Sequence, residues 1–173
     1  MEREIINRVA NSPLITIDLE DFYHSGERIE YDIAENLFQG LILREKDFRE
    51  FIKEHDWEQY SGKNINIICS ADAIVPTWAY MLLTSKLEGL ANMIVMGDKE
   101  LLEYALFKQA LGRINLQDYA DRPVVIKGCG DLPLSDALYV EITRLLKPVV
   151  KSIMYGEPCS TVPVYKKVRK PKA

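Results

Sequence analysis

The chain has 173 residues, 47% of them apolar and 28% charged, with a net charge of −4. That length suits one domain with a sizeable core, and the apolar content excludes a disordered chain. No apolar run approaches the roughly 18–20 residues of a membrane span, and the Met1-Glu2-Arg3-Glu4 start predicts no secretory signal, so the cytoplasm is the expected compartment.

In chain order, Asn11-Ser12-Pro13 reads as a turn before a short strand over Leu14 to Leu19. His24-Ser25-Gly26-Glu27 is a second turn, and Arg28 to Ile33 alternates like a half-buried strand. Leu41-Ile42-Leu43 suggests another strand, and Phe48, Phe51 and Ile52 fall at helical spacing between Glu45 and Glu54. After the polar stretch Ser61 to Asn64 comes a buried-strand run, Ile65 to Ile68, ending at Cys69. Pro76 then opens a helix through about Leu87, where its missing N–H does no harm. Met93 to Met96 is a strand closed by Gly97, and Asp98 is the N-cap of a helix carrying Leu101, Leu102, Ala105, Leu106 and Leu111. Val124 to Ile126 forms the next strand, Ser135 caps a helix through Leu146, and Ser152 to Tyr155 is the last core strand.

The alternation predicts an α/β fold: a three-layer, mostly parallel sheet in the C-terminal two-thirds, with the N-terminal strands at an edge or forming a small cap. The expected organisation is one domain over 1–165, with N-terminal strands and a helix over 1–60, a parallel core over 61–165, and a basic tail over 166–173. The tail holds five basic residues, leaving about −9 on the body, and an acidic body argues against nucleic-acid binding. A slide of 59 positions superposes Tyr80 on Tyr139, Thr84 on Thr143, Leu87 on Leu146, Ile94 on Ile153 and Gly97 on Gly156. Segments 65–97 and 124–156 therefore read as two copies of one strand–helix–strand unit.

Ligands of parallel α/β sheets bind outside the carboxyl ends of the strands. All three cysteines lie at or beyond such ends: Cys69, Cys129 (matched to Cys69 with a one-residue gap) and Cys159. Three thiolates and one further ligand suit zinc better than iron or an iron–sulfur cluster, with Asp72, Glu157 or His24 as the fourth ligand and Asp131 on the same rim. Two alternatives stand beside this one. In the first, Cys159 in its proline-flanked loop is a nucleophilic or redox thiol with no metal. In the second, the cysteines are packing residues of a binding or scaffold module that forms a homodimer. Lys127 is a candidate anion holder, Asp18, Glu20 and Asp21 a candidate carboxylate cluster, and Trp78 and Tyr80 core residues. No nucleotide-binding glycine pattern is present, so the expected partner is a metal ion or small molecule.

The blocks Leu43 to Arg49, Cys69 to Tyr80, Ile126 to Cys129 and Tyr155 to Pro163 resemble those of an uncharacterised bacterial family of small cytoplasmic proteins, a domain of unknown function. The resemblance spans nearly the whole chain and brings no assigned activity or catalytic roles.

Overall fold

The computed structural model describes residues 13–128, 132 and 134–168. Among these residues the strands are β1 (Ile15–Asp18), β2 (Arg28–Asp32), β3 (Asn64–Ile68), β4 (Met93–Met96), β5 (Pro123–Lys127), β6 (Ser152–Glu157) and β7 (Ser160–Lys166). The α-helices are α1 (Glu45–Glu54), α2 (Thr77–Leu87), α3 (Lys99–Leu111) and α4 (Asp136–Leu146). The chain divides into two compact units, Met1–Tyr23 with Phe107–Ala173, and His24–Leu106.

The parallel strands are shared between two sheets. One runs β1-β5-β6-β7 and the other β2-β3-β4, with β7 alone antiparallel to its neighbour. Both N-terminal strands sit at edges, as the sequence suggests: β1 beside β5 and β2 beside β3.

The internal repeat holds at the level of register. β3 pairs with β4 through Ile65↔Ile94, and β5 pairs with β6 through Val124↔Ile153, so both partners shift by the same 59 positions. α2 and α4 also share bounds under that shift, Thr77–Leu87 against Asp136–Leu146. Their core-facing positions match as well. Ala79, Leu83 and Leu87 are buried in one unit and Leu138, Ile142 and Leu146 in the other, at spacings that lay one stripe of a helix on a sheet. Each fully buried Leu or Ile contributes roughly 1.5–3 kcal/mol relative to exposure. Gly97, just after β4, and Gly156, the penultimate residue of β6, stand at φ +147° and +114°, a region that strains any residue with a Cβ.

The match extends to strands whose sequences show no such echo. Asp18 pairs with Lys127 in register and Asp32 with Ile68, which makes the two aspartates counterparts. Each ends its strand and caps a 3₁₀ turn, Asp18 accepting from the Glu20 N–H at 3.1 Å and Asp32 from the Ala34 N–H at 2.9 Å. The residue after each, Leu19 or Ile33, is fully buried. The turn therefore re-enters the core at the same point in both units.

Three expectations need correction. Leu41-Ile42-Leu43 is no strand; Ile42 makes only isolated bridges to Phe38 and Ile74. Beyond β6, the last strand with a buried residue, the sheet adds a further strand, β7, unexpected from the sequence. Pro163 obscured it in the sequence, but β7 is an edge strand with a register shift opposite Ile153 and Met154, where a missing N–H is tolerated. The basic tail begins later than residue 166. Lys166 ends β7 in register with Ser152, and Lys167 bonds the Lys151 carbonyl through its N–H and Asp121 through Nζ at 2.7 Å.

Candidate functional site

The sequence-derived thiols do not share a sheet. Cys69 follows β3, which neighbours only β2 and β4, whereas Cys159 occupies the turn between β6 and β7. Cys129 and Asp131 lie outside the described residues. Cys69 is half-buried and its S–H points to the Ala71 carbonyl at 3.5 Å; Cys159 is exposed, and both thiols are free. Glu157 ends β6 and is exposed two residues before Cys159, and Asp72 is exposed in the loop after Cys69.

His24 lies away from Cys69. Its Nδ1 is 3.2 Å from Asn64 Nδ2 and accepts from the Gly26 N–H at 3.1 Å. Asn64 opens β3 and Cys69 follows its last residue, so the strand separates the two by about 16 Å. Among the described residues, no group of three His, Cys, Asp or Glu side chains is placed to hold a metal ion.

Of the other polar candidates, Lys127 and Asp18 occupy each other, whereas Glu20 Oε1 is buried without a hydrogen-bond partner. Lys127 Nζ forms an ion pair with Asp18 Oδ2 at 2.6 Å. That bond holds the Asp18 carboxyl below the usual carboxylate range and raises Lys127. Burial pushes the counterpart Asp32 upward, but hydrogen bonds from Ser70 and Ala34 outweigh it and leave the carboxyl lowered. Trp78 packs against Phe48 in the core, as expected. Tyr80 is raised, first by burial and then by the nearby Cys69 and Asp32.

The concave surfaces lie beside α2 and α4. A cleft of about 600 Å³ opens between the first half of α4 and strands β5 to β7. It is lined by Asp136, Tyr139, Val140, Thr143, Tyr155 and Val164 above buried Ile126 and Ile153. Tyr139 donates its hydroxyl to the Gly128 carbonyl at 2.9 Å and meets Tyr155 edge to face at 5.5 Å, which fixes the aromatic wall. Among the described residues that line it, Asp136 alone carries a charge.

A second cleft of about 830 Å³ lies beside α2 and is lined by Ile74, Thr77, Tyr80, Met81, Thr84 and Met96. The two sets are repeat counterparts: Thr77 and Asp136, Tyr80 and Tyr139, Met81 and Val140, Thr84 and Thr143, Met96 and Tyr155. Val164, contributed by β7, has no equivalent in the second cleft. The sequence contained a signal for both clefts, because Tyr80/Tyr139 and Thr84/Thr143 repeat at half-buried positions that flank the core stripe, Tyr80 itself packing partly against the core.

These features define a class: a duplicated α/β protein with one apolar cleft per repeat, near the carboxyl ends of its parallel strands. The chain belongs to the family described as "Protein of unknown function (DUF2480)", whose model matches residues 3–167. No curated protein and no solved structure matches it. No helix among the described residues is long and apolar enough to cross a membrane.

Proposed function

We propose that the protein is a binding module whose ligand enters the cleft beside α4: a small molecule with an apolar body and one basic group. The observation that carries this reading is the matched pair of clefts, since a surface feature repeated outside the core needs a reason other than packing. The volume near 600 Å³ falls in the range of small-molecule sites, and Asp136 is the charge an apolar amine would meet. In this reading the protein works in the bacterial cytoplasm, where its free thiols stay reduced.

A heteronuclear NMR titration with 1-naphthylmethylamine and its neutral alcohol analogue tests it. The amine is expected to shift Tyr139, Val140 and Tyr155 and to lose about two- to fivefold in affinity on Asp136→Asn, the worth of an exposed ion pair. Shifts outside the cleft, or equal binding of amine and alcohol, would sink the reading.

A further inference from the structure

The outer edge of β6 is covered by β7, which runs antiparallel along it from Ser152↔Lys166 to Glu157↔Ser160. Its counterpart β4 has no strand on that side among the described residues, because the chain turns at Gly97 into α3. The consequence shows in matched side chains. Ile153 is fully buried, whereas Ile94 at the same position is only half-buried. The surface beside β4 is apolar and open: Ile74 is 91% exposed, Met81 67% and Met96 62%, and all three line the second cleft. β4 itself reads Met93-Ile94-Val95-Met96, without the lysine, proline or bulge that usually guards an edge. The second cleft lacks the wall that Val164 on β7 gives the first.

We propose that two copies of this chain pair β4 against β4, antiparallel about a two-fold axis, so that each supplies the strand missing from the other's second cleft. The matched unit indicates what covers such an edge, an antiparallel strand. Of the strands in this chain, β4 offers itself: an uncharged four-residue strand reversed about a two-fold axis at Val95 sets Ile94 of each copy against Met96 of the other on the cleft side, as an isologous contact requires. Methionine side chains adapt readily to such a contact. The three joined strands of each copy would form one continuous six-stranded sheet, and the half-buried Ile94 would gain the cover that Ile153 already has. The inference rests on the duplication and not on a ligand in either cleft, so its failure leaves the binding reading standing.

Sedimentation velocity over a range of concentrations tests it on the wild type and on Met96→Lys and Val162→Lys, the latter an exposed position on β7. The expected result is a wild-type dimer, weakened at least about tenfold by Met96→Lys, which would bury an unpaired charge against the partner strand, and unchanged by Val162→Lys. A mixed sample of isotope-labelled and unlabelled wild-type chains adds a readout independent of any variant: inter-chain proton contacts between β4 strands. A chain that stays monomeric overturns the proposal. So does a dimer without those contacts, or one that Val162→Lys dissociates and Met96→Lys does not.

Discussion

The unit built on β3 and the unit built on β5 share a register, helix bounds and an aspartate-capped turn, but fill the face of the sheet away from α2 or α4 differently. β3 carries Asn64 and Asn66, both fully buried, where β5 carries Pro123 and Val125. Asn92 donates to Asn64 Oδ1 at 2.7 Å, and Asn64 Nδ2 donates to the Glu27 carbonyl at 3.2 Å. Asn66 Nδ2 donates to Glu30 at 3.0 Å and to the Gly97 carbonyl at 3.1 Å. One backbone therefore tolerates either apolar packing or a hydrogen-bonded amide network at its central strand, in which both amide nitrogens are paired and Asn66 Oδ1 is buried without a partner. On the shared face, against α2 or α4, both central strands carry aliphatic residues, Ile65 and Ile67 in one unit and Val124 and Ile126 in the other. The units differ where hydrogen bonds can replace packing and agree where they cannot.

That comparison can be broken at its strongest point. Leu83→Ala and Ile142→Ala delete matched, fully buried side chains, and each is expected to destabilise by about 2–5 kcal/mol. Urea unfolding measures both, and native-state hydrogen exchange reports which unit opens. A cost under about 1 kcal/mol at either position would mean that the two helices are not equivalent supports. Asn64→Ala removes a fully buried amide together with its hydrogen bonds to Asn92 and the Glu27 carbonyl and is expected to cost about 1–3 kcal/mol. The same measurement on Val125→Ala, at a neighbouring site of the other unit, separates the network from simple volume loss, because only the asparagine change should release His24 and Asn92 together in NMR spectra.

The smallest effect distinguishes the two aspartates by pH. Both carboxyls lie below the ordinary 3.8, so the stability each contributes is full above that value and fades as pH falls through the lowered folded pKa. Asp18 faces Lys127, whose own pKa is raised above 10.5; that contribution is complete below 10.5 and fades as pH rises past the folded value. Asp32 faces backbone N–H groups that do not titrate. Asp18→Asn is therefore expected to flatten both limbs of a melting-temperature-versus-pH curve, and Asp32→Asn only the acid limb. Equal curves would mean that Lys127 leaves Asp18 in solution.

Much of this was legible in the residues. α1 spans Glu45–Glu54 and β4 Met93–Met96, the bounds their periodicity gives, because both are short elements with sharp ends. The 59-residue echo marked the duplication, and the shared register of β3–β4 and β5–β6 agrees with it. β7 was hidden by its proline, and the Asp18/Asp32 equivalence by sequences that share little beyond one aspartate and one large aliphatic residue. The thiol site was inferred from the premise that β3 and β5 are neighbours, and sequence order says nothing about which strands pair.

The sequence by itself determined the elements, their parallel pairing within each strand–helix–strand unit and the duplication, because hydrophobic period, caps and turn residues act over a few positions. Tertiary structure alone decided that the strands split between two sheets, that β7 covers one edge while β4 stays open, and that Tyr139, Val140, Tyr155 and Val164 share a cleft. Those outcomes depend on strand order and on which edge a later segment reaches. Such long-range choices are fixed by burial across the whole fold and leave no local periodicity to read.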